Sequence, residues 1–521
     1  MRCFKKLLSV LLVLILMTAG IPSAFADQAT GISAYATGEG SDVSKNIDEI
    51  QISADKATGV SSVAEDEGKA SVKVSNSVTV TGTTQAEGVY AGAALSGSAE
   101  IKVGGSVTAE GNSAAGIVSK STVHGQSSVT VDQSVTAAGT EDAKGINVEL
   151  EMEGKSSVTV HGSVEAEGNS ATGICVKKPN GKTETEITVD GEVRADGQSG
   201  DVYGINVSGD DNSSVKISAG AVHAGGNSDP DNTEAVHIIT QGNGTEVKLR
   251  VSGDVISSGD GIFVDDELGG NVEIIIEGTL SAEGISVVTF GDFDHVSLAA
   301  WKIEGEDIEA SASGAEGSSA GQYASGYAPS YANYIIKSEQ PKAGGSFELN
   351  GTGKIEEFDV AHFDDKVSLL VNLDKGYKLN GAYTGKGERV KLEKDENGNY
   401  FVKVPMGGGV YLTVDISKIQ DHKTGKTQAA GDPLAKFCKT LAQRIREAPQ
   451  NGTVEADATG WKGLEREVFK ALSERPDVSL KLTCRLNGEV TELTIPAGAD
   501  LLSAMGDARM LTFEQIAQLL G

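Results

Sequence analysis

Glu192, Arg194 and Asp196 alternate along one stretch, so on a strand all three side chains point the same way. An arginine beside carboxylates suits the removal of a proton from the carbon next to a substrate carboxylate, with the acids holding a calcium ion. Arg194 and Arg250 are the only arginines between positions 28 and 305. The competing reading is a solvated charge row whose members pair across neighbouring strands. Hydrolysis of a glycosidic bond would need two carboxylates at a fixed separation, and with 74 acids in the chain no pair stands out. Oxygen ligands for calcium could come from Asp265, Asp266 and Glu267, or from Asp229, Asp231, Asn232 and Glu234. Neither set completes a metal loop, and acidic corners on an acidic protein are the plainer account. Asp395, Asn397 and Asn399 open like a calcium loop but lack its glycine, and Asn397-Gly398 reads better as a hairpin turn. His124, His161, His223 and His237 share no spacing suited to zinc. Cys175 has no histidine near it in sequence and reads as a buried or half-buried thiol rather than a nucleophile.

What must position these residues is a repeat. Gly, once Ala, followed by Val or Ile recurs at Gly31, Gly59, Gly88, Gly116, Gly145, Gly173, Gly204, Ala235, Gly261 and Gly284. The spacings are 28, 29, 28, 29, 28, 31, 31, 26 and 23 residues, which is a solenoid period. Within each block comes an alternating strand, such as Val72-Lys73-Val74, Ile101-Lys102-Val103, Val129-Thr130-Val131 or Val158-Thr159-Val160. A corner follows, usually ending in glycine: Gly105, Gly162, Gly191, Gly220, Gly253 and Gly278, with Asn76 and Gln133 as exceptions. Glycine there is expected to supply positive φ. Asn112, Asn169 and Asn227 recur at another corner, where asparagine can adopt left-handed backbone or bond backbone along a ladder. Three strands and three corners per block predict a parallel β-helix of about ten coils over 27–305, with Val103, Val131, Val160 and Val189 stacked inside. The longer coils near 210–212 and 228–232 are expected to extend outward and to carry any specific recognition.

Residues 1–26 read as an export signal: Arg2, Lys5 and Lys6, an uncharged stretch, then Ala24-Phe25-Ala26 as the cleavage motif. The chain holds 44 basic and 74 acidic residues, a net charge of −30. Such a surface repels nucleic acid. No second apolar span follows, so a secreted protein without a transmembrane anchor after cleavage is expected. Cys175, Cys438 and Cys484 remain beyond the leader; an odd number excludes a complete disulfide framework, although Cys438 and Cys484 could pair.

The repeat fades after Trp301. Residues 306–333 form a Ser/Gly/Tyr-rich cap or linker, with Tyr323, Tyr327, Tyr331 and Tyr334 expected to pack on the last coil. A small β module is expected at 334–419, a polar linker at 420–433, and an α+β tail at 434–521. In the tail, Leu434, Phe437, Leu441 and Ile445 mark one helix, Leu464, Val468, Phe469 and Leu472 another, and Thr512 to Gln515 a capping box. Residues 296–301 have the apolar bulk to cover the last layer around Ile285, Val287 and Val288, so a chain ending near Ser313 is expected to stay soluble.

The repeat resembles secreted bacterial parallel β-helices of the adhesin and pectate-lyase-like type. Gly376-Tyr377-Lys378-Leu379, the strand ending at Pro405 and the strand Val410-Tyr411-Leu412-Thr413-Val414 resemble internalin-type B repeats. Trp461, Pro476-Asp477-Val478 and Ile495-Pro496-Ala497-Gly498 resemble small tail domains of secreted Gram-positive proteins. The resemblance implies a non-catalytic binding or adhesion scaffold for glycans or cell-surface proteins. The alternative it leaves open is a β-helix polysaccharide lyase or hydrolase. No cofactor is expected, calcium being the one ion the acidic corners could hold.

Overall fold

The structure is a computed structural model that describes residues 28–226, 232–242, 244–266, 270–291, 295–304, 332–385, 389–419, 433–486, 489–506 and 508–520. The expected leader, Asp229, Asp231, Glu267, Asn227, Tyr323, Tyr327 and Tyr331 lie outside them. The chain divides into a unit spanning Met1–Gln420 and a second spanning Asp421–Gly521.

The first unit is a parallel β-solenoid, and it is mainly β as the repeat predicts. Each coil presents three faces. The first is built from strands such as Lys69–Val74, Ser98–Val103, Gln126–Val131 and Lys155–Val160. The second and third lie on one long strand, such as Val78–Ala94, broken where the register shifts between Thr81 and Gln85. Alternation sends Val74, Val103, Val131, Val160 and Val189 inward in register, each at most 1% exposed. Turn upon turn the aliphatic rows close a continuous core that one coil could not bury alone. Reckoned over the whole solenoid the turn number is about 14 rather than the ten expected. The Gly-Val/Ile pairs mark only the ladder of the third face, which runs rung by rung from Gln28–Thr37 to Val287–Gly291.

The last pair is misread by the repeat. Ile262 is in register with Val287, so Ser286-Val287 continues the ladder, while Ile285 is 39% exposed. Gly284 instead bonds through its N–H to the Gly259 carbonyl, outside the row. Within the row glycine is required by close approach. A Cβ on Gly88 would stand 2.3 Å from Val107 Cγ1 and 2.6 Å from the Gly116 carbonyl oxygen.

The corner glycines work differently from expectation. None of Gly105, Gly162, Gly191, Gly220, Gly253 or Gly278 has positive φ. Crowding explains them: a Cβ on Gly191 would lie 2.5 Å from Ser163 Oγ, and one on Gly220 2.5 Å from the Asp190 carbonyl oxygen. Left-handed backbone sits instead at the corner after the third face, on the pairs Asp66-Glu67, Leu95-Ser96, Val123-His124 and Met152-Glu153. Two consecutive positive φ values make a tight reversal that non-glycine residues rarely adopt. Asn112 and Asn169 accept hydrogen bonds across the coil from Thr140 and Ser199.

The end of the solenoid is sealed by residues beyond the expected linker. Val296–Glu304 pairs with Asn271–Ala282 below it and with Asn333–Ile335 above. The Gly409 N–H donates to the Trp301 carbonyl at 2.7 Å, and Ile303 N–H donates to Gly407 at 2.9 Å. Tyr334, wholly buried, accepts from the Gly407 N–H and is in register with Ala300. Phe347, Val367, Leu369, Leu412 and Val414 extend the solenoid's own core. Outside, Arg250 joins Glu277, Glu356 and Glu357 and lies over the Phe358 ring, pinning the hairpin that covers Ile275 and Ala299.

The opposite end carries a charge turned inward. Lys45 is in register with Val72, in the row that continues as Ile101, Val129, Val158 and Ile187. An inward cation on an end rung opposes pairing with the edge of another rod. Replacing Lys45 with Val should therefore promote end-to-end association, read as concentration-dependent growth in light scattering. A strictly monomeric variant would show that the lysine has no such role.

In the second unit, helices Pro433–Glu447, Arg466–Glu474 and Phe513–Leu520 share one core with a three-stranded sheet of Thr453–Asp457, Ser479–Leu486 and Glu489–Ile495. The capping box forms, with Thr512 N–H donating to Gln515 Oε1 and Gln515 N–H to Thr512 Oγ1. No disulfide joins Cys438 and Cys484; both thiols are buried in the core of this unit.

Candidate functional site

A repeat makes neighbouring coils alike, so outward rows that change from rung to rung are where the frame alone does not dictate the residue. The outward rows of the first face carry mostly small polar and charged residues, one of them reading Lys73, Lys102, Thr130, Thr159, Thr188 and Ser218. The third face varies at nearly every rung. Its central outward row reads Tyr90, Val118, Asn147, Cys175, Asn206, His237, Phe263 and Val288. A flanking row reads Glu87, Ala115, Lys144, Thr172, Tyr203, Glu234 and Asp260. Although these side chains point away from the core, several are nearly covered by one another: Cys175 is 5% exposed, Thr172 7%, Asn147 9% and Glu234 9%.

Two clusters organise this face. In the upper one the His237 ring stacks on Phe263, 4.8 Å between centroids and 4° between planes, and meets Tyr203 at 4.9 Å. Glu234 holds His237 Nδ1 at 2.5 Å, and both side chains are largely buried. Burial, with the negative charges of Asp201 and Glu234, pushes the Tyr203 phenol up to about 12. Because this acid keeps its proton longer folded than unfolded, its contribution is intact below about pH 10 and is lost as pH rises toward 12. Alkaline spectrophotometric titration should show a late phenolate step that Tyr203→Phe removes; an unchanged titration curve would contradict the burial of that hydroxyl.

In the lower cluster Glu87 accepts from Thr58 Oγ1 at 3.2 Å and from Gln85 Nε2 at 2.9 Å, and burial pushes its carboxyl up. Lys120 pairs with Glu149 at 3.4 Å, and Asn147 Nδ2 donates to the same carboxylate. Tyr90, Gly92, Lys120 and Glu65 line a small pocket of about 120 Å³. Cys175 lies between Asn147 and Asn206, and burial raises its thiol pKa, which keeps it a thiol.

The residues singled out by spacing fall elsewhere. Glu192, Arg194 and Asp196 do share the outward side of the second face. Arg194 grips Asp196 through Nε at 2.5 Å and Nη2 at 3.1 Å, and that hydrogen bonding raises its pKa. Such a guanidinium is held as a cation and is not poised to take a proton. Asp265 and Asp266 are consecutive on one strand and point to opposite sides, so they do not form one ligand set. Asp266 is fully buried, its Oδ1 accepting from Thr240 Oγ1 and the Gly270 N–H, both at 2.6 Å. Among the described residues no three His, Cys, Asp or Glu side chains converge as a metal site. His161 pairs with Asp190 and His124 with Glu153 across coils, both at exposed corners. Spacing arguments missed His237 and Glu234 as a pair and passed over Tyr203 and Phe263 entirely. The signal available was the departure of one row from its own repeat.

Compared with known proteins, the chain matches no family model, no curated protein and no solved structure. The likeness to adhesins, lyases and internalin-type repeats therefore rests on its own residues.

Proposed function

We propose that this is an exported, extracellular or cell-surface β-solenoid of bacterial type that acts as a binding scaffold, without catalysis or a resident cofactor. Its partner is a glycan or a cell-surface protein. The observation that carries the reading is the third face, where aromatic, amide, carboxylate and lysine side chains change from rung to rung on an otherwise repeating frame. Half-buried aromatic and charged groups held by neighbours are what a preorganised recognition surface needs. The leader-like N-terminus supports export, and the net charge of −30 disfavours nucleic acid as partner.

The test is a binding screen of the full chain against glycans and surface proteins, with Tyr203→Ala, His237→Ala and Lys120→Ala as probes. Each is expected to weaken binding by about tenfold, and a calcium chelator is expected to leave it unchanged. Release of shortened saccharide products would overturn the scaffold reading in favour of an enzyme. Loss of binding on chelation would put calcium at an acidic corner.

A further inference from the structure

The middle of the first face differs from its ends. Across three successive rungs the outward positions are Gln126, Ser128 and Thr130, then Lys155, Ser157 and Thr159, then Glu184, Glu186 and Thr188, so hydroxyls hold five of the nine. They lie in and beside a shallow trough of about 450 Å³ that runs from Ser98 to Lys216. We infer that this trough is a second binding site, for an extended, uncharged polysaccharide lying along the solenoid axis. The inference rests on the scaffold reading but uses a different face.

Three observations support it. The hydroxyls of Ser128, Thr130, Ser157, Thr159 and Thr188 donate to nothing among the described residues, whereas exposed hydroxyls at the corners are engaged across coils, as Thr83 is with Asp55 and Ser106 with Gln133. The charges that line the trough are matched in pairs, Lys155 with Glu184 at 2.6 Å and Lys216 with Glu186 at 3.6 Å. A polyanion would find no spare cation there and would be repelled by the rest of a chain of net charge −30. Finally, the frame does not require hydroxyls. The same rows carry Lys73 and Lys102 in place of Thr130, and Glu100 and Glu186 in place of Ser157.

Parallel strands repeat every 4.8 Å or so along the axis. Hydroxyl and amide groups at that interval present a periodic set of donors and acceptors to a polymer whose own hydroxyls repeat. Individually weak hydrogen bonds then act together along one chain. Electrophoresis of the full protein through gels containing hydroxyethyl cellulose, arabinoxylan or glucomannan, with polygalacturonate as the anionic control, tests this. Wild type should be retarded by at least one uncharged polymer and not by polygalacturonate. The double variant Ser157→Glu/Thr159→Lys places residues that the same rows already accommodate, so the fold is expected to be kept, as circular dichroism and melting would verify. It should lose about tenfold in apparent affinity for the polymer. The inference falls if no uncharged polymer retards the protein, if only polygalacturonate does, or if the double variant behaves as wild type. Loss of retardation in Tyr203→Ala alone would leave the scaffold reading intact and overturn this site.

Discussion

A chain ending near Ser313 is expected to aggregate, while one ending at Gln420 stays monomeric and β-rich. The apolar residues Leu298, Ala300 and Ile303, each at most 2% exposed, are covered by chain that arrives from beyond position 331. Asn333 and Tyr334 pair with the edge of Val296–Glu304, and Trp301 Nε1 donates to the Val410 carbonyl. Ending near Ser313 removes all of these and leaves an unpaired, apolar strand edge, the usual template for edge-to-edge association. Residues 296–301, expected from their apolar bulk to cover the layer before them, do pair with the preceding coil, but they form a layer of their own, and what covers that layer comes later in the chain. Size-exclusion chromatography and circular dichroism of both truncated chains decide the matter. A monomeric, cooperatively melting chain ending near Ser313 would show that the module from 332 to 419 is an addition and not a seal.

The coil was legible because stacking makes each inward position answer to the same constraint many times. Val103, Val131, Val160 and Val189 are found in register, as alternation demands. Corners were legible in place but not in cause. Glycine at Gly105 or Gly191 signals crowding by the adjacent coil, a contact between residues about 29 apart that no local turn rule contains. Conversely, Asp66-Glu67 and Leu95-Ser96 adopt left-handed backbone without glycine, because the solenoid fixes the direction of the chain on either side and overrides their local preference. The slip at Gly284 has the same origin: local motif and ladder disagree, and the hydrogen-bonded ladder decides.

The candidate site was less legible, since motif logic looks for residues near one another in sequence. Tyr203, His237 and Phe263 sit on three different coils, some 30 residues apart, and become neighbours only through the ladder. Glu192, Arg194 and Asp196 are close in sequence and share a face, yet Arg194 spends its hydrogen bonds on Asp196. Local proximity found an ion pair. Row-by-row comparison of coils, applied to outward positions, is the reading that would have found the third face.

Replacing Val131 with Asp is expected to destabilise the solenoid by about 3–5 kcal/mol, while Thr130→Asp shifts stability by no more than about 0.5 kcal/mol. Val131 is wholly buried between Val103 and Val160. A carboxylate there finds no donor in an apolar row, and burying an unpaired charge is among the few single changes that approach the full stability of a domain. Thr130 is one residue away on the opposite side, where the same row carries Lys102 and Thr159 and the sheet meets water. Because each coil touches only its neighbours, the damage from Val131→Asp should begin locally, uncoupling coils on either side before the whole rod melts. Thermal and urea melts of the two variants separate the cases, and a broadened or split transition for Val131→Asp alone is the expected signature. Equal shifts for the two would mean that the inward and outward sides of the first face have been exchanged, and every face assignment built on that alternation would fall with it.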